Sequence, residues 1–512
     1  MRFFKFFTFL LMLYYADLSF GQQATLPIHW HHTNSAQGYY GVNTDQAYEF
    51  IENQKLNIKP IVVAVIDGDL DISHEDLQTN LWVNTKKNKH YPNSTHGWNY
   101  LGSDKDKQIS KVGTEAFREY KRLRPKYENT KLSDWKKKND IEEFNYFMDV
   151  KKDAKIQGYL NFFPYIKLTY DAFRLTDSLI TATGYDRSRF TLKDLSDLKS
   201  QDSITQEYLE AAKRSSYRYA ESTKWSDLFA QQVEEYQTAV KRIQSLDDQS
   251  NPRYTIGDNI KSLRDKYYGN SLLIDSNSYH GTFVGGLIAA NRFNQIGING
   301  VAANAKLMGI RAVPDGDEFD KDVALSIRFA VDHGAHIINM SFGKYYSPNS
   351  KWVTDAIKYA LKKNVVVIQA AGNDNRNLDT INCYPIKPNK IKKSNNSYLR
   401  IGASTFEGNK AKFSNFGTKT VDFFAPGEKV TSTSTFNQYK TANGTSFSAP
   451  IISGVAALVW GVFPELKAYQ VVEILKKSAE LNTVKSLESY AIIPGIPDAY
   501  KALIIAKDYV KK

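Results

Sequence analysis

The sequence predicts an α/β protein: a parallel sheet with helices on both faces, plus an inserted α-helical subdomain. Three observations predict it. Ile61-Val62-Val63-Ala64-Val65-Ile66 is an unbroken apolar, β-branched run, as a strand buried on both faces requires. From Ala305 to Ala370, strand-like and helix-like segments alternate, the pattern of repeated βα units. Between these stretches, roughly Ser103 to Asn270, composition shifts to Lys, Glu, Asp, Gln and Tyr, and apolar residues recur at helical spacing.

The elements follow in order. Asn43-Thr44-Asp45-Gln46-Ala47 reads as a capped helix start that continues through Tyr48, Phe50 and Ile51. The strand 61–66 follows, with Asp67 at its C-terminal end, where open α/β sheets place their sites. In the insertion, Ile141, Phe144, Phe147 and Met148 begin one helix. Phe162, Ile166, Phe173, Leu179 and Ile180 predict more buried helix around Pro164. Trp225, Leu228, Phe229, Val233, Tyr236, Val240 and Ile243 make a strongly amphipathic one. His280-Gly281-Thr282 opens a helix-like run, Phe283 to Ala290, whose Gly285 and Gly286 allow close packing or substrate approach. Ala305 to Val313, His336 to Met340 and Val365 to Ala370 are strands. Phe319 to His333, and the stripe Trp352, Ala356, Tyr359 and Ala360, are helices between them. These boundaries give an N-terminal extension over 22–59, a main α/β body over 60–102 and 271–505, and an insertion over 103–270.

Gly444-Thr445-Ser446-Phe447-Ser448-Ala449-Pro450 is the most informative stretch. A glycine-led turn presents one serine just where an apolar helical run, Ile451 to Trp460, begins. Free N–H groups and partial positive charge at a helix start favour a developing oxyanion. Ser446 is thus a candidate nucleophile, provided a base and an orienting carboxylate exist elsewhere. His280 and Asp67 supply both. Singly, each has an ordinary explanation: a helix cap, a loop histidine, an Asx turn. Their order and their places on the predicted elements favour chemistry.

Together the motifs resemble the subtilisin-like serine peptidases, the subtilases, which share the chain order Asp, His, Ser. Gly-Thr-Ser-x-Ser-x-Pro matches around Ser446. His-Gly-Thr-x-Val-x-Gly matches around His280, with Phe283 where the family usually carries a second histidine. Ala370-Ala371-Gly372-Asn373 resembles the segment bearing the oxyanion-hole asparagine, and Val421 to Gly427 is a fourth shared piece. The resemblance covers roughly 40–102 and 270–480. It implies catalytic Asp67, His280 and Ser446, an oxyanion donor at Asn373, and a substrate-binding edge at Ser341-Phe342-Gly343, where an extended peptide pairs backbone to backbone. One motif departs. Gly68 and Asp69 stand where the family has Ser or Thr and then Gly, so a hydroxyl is lost and a second carboxylate arrives, which is expected to raise the pKa of His280. His74-Glu75-Asp76-Leu77 keeps the register. Asp76 and the loop Asn291 to Ile298 resemble a structural calcium site, with oxygen ligands from Asp76, Asn294 and backbone carbonyls. No cofactor is needed for the chemistry itself. The two catalytic motifs at Asp67 and His280 are 213 positions apart, where subtilases need a few tens. Residues 22–59 are too short for the folded prodomain common in the family.

Composition sets the context. The 512 residues carry a net charge of +12 and a single cysteine, Cys383, which excludes an intramolecular disulfide and reads as a small buried residue. No nucleic-acid motif accompanies the basic charge. Arg2 and Lys5 flank the apolar run Phe6 to Tyr15, and Ser19-Phe20-Gly21 offers a cleavage site before Gln22, so 1–21 reads as a secretory signal peptide. No later anchor is predicted. The expected protein is an exported serine endopeptidase acting on polypeptides. A catalytically silent binding protein that uses the insertion to contact a partner is the alternative. A surface-associating protein that holds anionic polymer is a third class.

Overall fold

The computed structural model describes residues 26–511, apart from 87, 106, 247–251 and 276–277. The export segment expected over 1–21 lies outside the described residues. Seven parallel strands build the central sheet: β1 (Ile61–Asp67), β2 (Gly97–Asn99), β3 (Ala305–Arg311), β4 (Ile337–Met340), β5 (Val366–Ala370), β6 (Tyr398–Ser404) and β7 (Phe423–Pro426). Their spatial order is 2-3-1-4-5-6-7. The helices are α1 (Thr44–Asn53), α2 (Glu115–Tyr127), α3 (Lys138–Asp153), α4 (Ile156–Ala182), α5 (Leu192–Asp197), α6 (Ser203–Ser216), α7 (Trp225–Gln244), α8 (His280–Ala289), α9 (Asp320–Asp332), α10 (Ser350–Lys362), α11 (Thr445–Val462), α12 (Ala468–Glu480) and α13 (Ala499–Val510). A hairpin, β8 (Val430–Ser434) with β9 (Gln438–Ala442), precedes α11.

The continuous apolar run of β1 is explained by two covered faces. Side chains alternate across a strand. Ile61, Val63 and Val65 enter one core with α8, α11, α12 and α13, while Ala64 and Ile66 enter the other with α9 and α10. Every residue of α11 is buried. By length and apolar character α11 could cross a membrane, but here it is the central core helix beneath the sheet.

The insertion leaves and returns at one point. Asn99 N–H donates to Asn270 O (2.8 Å), and Asn270 N–H donates back to Asn99 O (3.0 Å). Asn270 Nδ2 also donates to Ser103 O (2.9 Å). The return leg is fixed by Arg253, wholly buried and ion-paired with Asp258 (3.0 Å) and Asp322 of α9, while Lys321 pairs with Asp258 (2.7 Å). Buried charges persist only when so paired.

Within the insertion the helices bury their stripes against one another. Phe117, Tyr120, Tyr127, Phe144 and Phe147 join α2 to α3. Trp225 and Leu228 of α7 pack with Phe173 and Ile180 of α4 and with Leu209 of α6. The N-terminal part of the α7 stripe, Trp225 and Leu228 with half-buried Phe229, is therefore core of the insertion itself, while Val233, Tyr236, Val240 and Ile243 are half-buried. Two sequence expectations need correcting. Phe162 is 64% exposed, because α4 runs unbroken through Pro164 and turns that residue outward. Met148 likewise faces solvent. At α1, Asn43 is the N-cap residue but makes no side-chain cap. Its amide donates instead to Gln46 (2.9 Å) and to Asp498 (2.9 Å) beside α13.

Candidate active site

Parallel strands and two helix starts bring the sequence-predicted residues to a single edge. Asp67 ends β1, Ser341 directly follows β4, and Asn373 lies just past β5. His280 opens α8, and Ser446 is the second residue of α11. Residues far apart in the chain meet because the C-terminal ends of parallel strands share an edge.

His280 Nδ1 donates to Asp67 Oδ1 at 2.8 Å. Gly68 N–H donates to the same oxygen at 2.7 Å. Asp67 is buried and its Oδ2 has no hydrogen-bond partner among the described residues, so its charge is focused on His280. With Nδ1 holding the proton, the tautomer leaves Nε2 as the free lone pair. The imidazole keeps 35% of its surface open. Burial disfavours its charged form, but Asp67's charge and hydrogen bond, and then Asp69's charge, outweigh burial and raise the pKa above 6.5.

Asp69 does more than add charge. Oδ1 accepts from Ser278 Oγ (2.7 Å) and Gly281 N–H (3.0 Å), and Oδ2 accepts from Thr282 Oγ1 (2.5 Å) and Thr282 N–H (3.3 Å). It therefore satisfies the free amides at the start of α8 and seats the histidine-bearing helix. Burial pushes its own carboxyl upward in pKa, against the hydrogen bonds from Thr282 and Ser278. Gly281 is required here, since a Cβ would overlap Asp69 O and meet Asp67 Cβ at 2.9 Å. Gly285 and Gly286 serve packing. A Cβ at Gly286 would meet the hydroxyls of Thr433 and Ser432, and one at Gly285 would meet Leu70 and Leu307.

Ser446 is nearly buried and Oγ donates to Ser341 O at 3.0 Å. The His280 ring lies 5.7 Å from that of Phe447, the next residue, and Phe283 packs on Phe447 at 4.2 Å. Phe283 thus fixes the start of α11 beside the imidazole. No described hydrogen bond joins Ser446 Oγ to His280, so Oγ must leave Ser341 before it can reach Nε2. Ser341 itself is held by α11. Its Oγ donates to Ser446 O (2.7 Å) and accepts from Asn339 Nδ2 (2.9 Å). Among the described hydrogen bonds, none uses the N–H or C=O of Phe342 or Gly343, and Gly343 is exposed. That backbone is open to an added strand.

Asn373 Oδ1 accepts from Thr445 N–H and Thr445 Oγ1, both at 2.9 Å. Thr445 Oγ1 in turn accepts from Gly372 N–H (3.0 Å). With the oxygen taken, Nδ2 is the donor left over, beside the N–H groups that open α11. The sequence carried Thr445 in its motif without exposing this role. Cys383 is buried, its thiol pushed up to about 11 by burial, and it lies against the Ser341–Gly343 segment, 3.0 Å from where a Gly343 Cβ would sit. A thiol so protonated is no nucleophile.

The loop of Asp76 and Asn294 tests the calcium expectation. Asp76 Oδ1 accepts from Asn294 Nδ2 (2.8 Å) and Oδ2 from Ile298 N–H (3.1 Å), while Asn294 Oδ1 accepts from Ile296 N–H (3.1 Å). These two residues meet, but as donor and acceptor. Among the described residues no group of three His, Cys, Asp or Glu side chains is placed to hold a metal. The two side chains are satisfied by one another and by loop amides, while no described hydrogen bond uses the carbonyls of Asn294 or Ile296. No step below is routed through calcium. Dialysis against EDTA is expected to leave the melting temperature within about 2 °C of its starting value. A fall of about 5 °C or more, reversed by added calcium, would place an ion here.

Known proteins carry related sequences. Residues 59–491 match the family model described as the subtilase family. The thermophilic serine proteinase of Bacillus sp. strain AK1 is 36% identical over 181 residues, covering 35% of this chain and 42% of that protein. The thermostable alkaline protease of Halalkalibacterium halodurans is 33% identical over 204 residues, covering 40% and 53%. Subtilisin DY of Bacillus licheniformis is 35% identical over 214 residues, covering 41% and 73%. The chain thus spans about half the length of the first two relatives. With the family model matched over most of its length, this chain belongs to the subtilase family.

Proposed function

We propose that this protein is an exported serine endopeptidase that hydrolyses peptide bonds through Asp67, His280 and Ser446. The observation that carries the reading is the 2.8 Å bond from His280 Nδ1 to Asp67, formed at the mouth of the helix that presents Ser446. Substrate binding begins the sequence. A peptide pairing along Ser341–Gly343 offers an N–H to Ser341 O and displaces the resting Ser446 hydroxyl toward His280. Oγ attacks the scissile carbonyl as its proton passes to Nε2. Asp67 holds the resulting imidazolium. Asn373 Nδ2 and the Ser446 N–H receive the oxyanion. The tetrahedral species collapses, the C–N bond breaks, and His280 returns the proton to the leaving amine. Water then repeats the cycle on the acyl-serine and releases the acid.

The decisive experiment is incubation with a fluorophosphonate, followed by mass mapping of the adduct and by hydrolysis of denatured casein. Adduct on Ser446 with casein cleavage is expected. A folded protein with neither would leave the silent binding-protein reading in its place.

Two finer outcomes follow from the geometry. Asn373→Ala should still label, yet lose about 10²–10³ in kcat, because Nδ2 acts only once negative charge develops. A drop under about threefold would remove Asn373 from the oxyanion site. The second outcome concerns pH. The base works only when neutral, so kcat/KM should rise with pH through a midpoint above 6.5. Asp69→Asn removes one of the charges that raise the midpoint and should move it to lower pH. An unmoved or raised midpoint would show that Asp69 only seats the helix.

A further inference from the structure

The insertion meets the catalytic body right where the substrate edge ends. Lys344 follows Gly343 and is buried. Its ammonium contacts Glu115 of α2 (2.7 Å), Asp320 of α9 (2.9 Å) and the carbonyl of Glu318 (2.6 Å). Lys344 N–H donates to Tyr384 O (3.0 Å), and Tyr384 N–H donates back (2.7 Å). Next, Tyr346 packs on the first core of the insertion. Its ring is 5.8 Å from that of Tyr146 on α3, and its hydroxyl donates to Asp153 (2.8 Å). Between the two bodies lies a cleft of about 310 Å³. Glu119, Arg122 and Tyr146 of the insertion form one wall, and Tyr345, Tyr346 and Tyr384 of the body form the other.

We propose that this cleft is a substrate subsite, built jointly by the insertion and the body, that takes a lysine or arginine four or five residues before the scissile bond. The proposal rests on the peptidase reading above. The direction follows from the chemistry. The leaving amine must depart on the side of His280, which reprotonates it, so the acyl part runs the other way, along Ser341–Gly343. An extended chain rises about 3.3 Å per residue, so four residues from Ser341 reach Tyr345 after roughly 13 Å. That places the cleft at the fourth or fifth residue of the bound peptide.

The lining sets the chemistry. Aromatic faces attract a cation, and long basic side chains lay their stems along such rings. Tyr345 donates to Asp374 (2.5 Å) while its oxygen accepts from Asn415 Nδ2 (3.0 Å), and Tyr346 donates to Asp153, so both phenols aim their protons at carboxylates. Asp149 also acts on Tyr346. Two cations oppose a basic guest. Arg122 is held by Glu119 through two 2.9 Å bonds, and Arg376 covers one face of Tyr345 at 4.1 Å. Of the lining itself only Glu119 and Arg122 are charged, and they offset one another. The excess of negative charge comes from behind the rings, where Asp153 and Asp374 hold the two phenols and Asp149 acts on Tyr346.

The test uses the full protein and one peptide that it cuts in denatured casein, synthesised with Arg, Ala or Glu at the fourth and fifth positions before the cut. Arg should exceed Glu by about tenfold in kcat/KM, the scale of one partly desolvated cation–π contact, with the difference in KM. In the Ser446→Ala protein, the same peptides should bind with the same order of Kd, measured by fluorescence anisotropy. Tyr146→Ala should bring the Arg-to-Glu ratio within about twofold, and Tyr146→Phe should restore it. Arg122→Ala, checked for folding by circular dichroism, should increase the ratio by freeing Glu119. Equal peptides, a preference for Glu or for an aromatic residue, or a ratio untouched by both Tyr146→Ala and Arg122→Ala would overturn the subsite. Loss of hydrolysis by the wild-type protein would instead defeat the peptidase reading, and the anisotropy order would still decide the cleft.

Discussion

Ser446→Ala will abolish fluorophosphonate labelling and lower peptide hydrolysis by on the order of 10⁶-fold, with the fold intact. The reason for the size is that nothing else near the edge can replace the oxygen. Cys383 is buried and its thiol is held protonated. Ser341 Oγ is committed to Ser446 O and to Asn339. The fold survives because Ser446 Oγ makes a single bond, to Ser341 O, worth about 1 kcal/mol at most. The contact from Ser341 Oγ to the Ser446 carbonyl remains. His280→Ala should cost nearly as much, and the double variant no more than either single one, since attack and proton transfer are one event. Differential scanning calorimetry beside the kinetics separates loss of chemistry from loss of fold. Ser446→Ala protein that still cuts casein at the wild-type rate would end the triad assignment.

How far the site was legible depended on whether its parts were local. Asp67, His280 and Ser446 each sit inside a short run whose residue types state their own geometry: a strand end, a glycine-backed helix start, a small-residue turn. Strands β1, β3, β4 and β5 were readable because both faces are covered and apolar residues dominate them. Strand β6 was not, because Arg400 breaks the apolar pattern. That guanidinium is buried and satisfied by Gln369 and by the carbonyls of Cys383 and Pro385, partners that a linear reading does not bring together. The hairpin β8–β9 was hidden by its hydroxyl residues. Ser432 and Thr433 are buried only because they donate to Phe283 O and Thr282 O of α8. The helices α12 and α13 went unassigned although Val471, Ile474 and Leu475 keep helical spacing. The seat made by Asp69 for α8 required knowing that residues more than two hundred positions apart touch. The same is true of the cleft between α3 and Tyr346.

The carboxylate offers a sharper test of how the triad is tuned. Asp67→Ala should lower kcat by on the order of 10⁴-fold, less than loss of the nucleophile, because Ser446, His280 and the oxyanion donors remain. Asp67→Asn separates two things that the carboxylate does: fixing the tautomer and supplying charge. An amide placed with its nitrogen toward His280 would donate to Nδ1, move the ring proton to Nε2 and destroy the base. Here Gly68 N–H points at the same oxygen that faces His280, at 2.7 Å. An amide nitrogen in that position would confront two N–H donors, whereas the amide oxygen accepts from both. The backbone therefore steers the amide oxygen of the Asp67→Asn variant toward His280 and keeps the productive tautomer. What is lost is the charge, the chief influence that raises the imidazole pKa against burial. Asp67→Asn should accordingly be more active than Asp67→Ala by at least about tenfold near neutral pH, and its pH–rate midpoint should lie below that of the wild type. Rates measured from about pH 5 to about pH 10 on the three proteins decide it. If the Asn and Ala variants are equally crippled across that range, then Gly68 does not hold the oxygen in place, and the tautomer depends on the carboxylate alone.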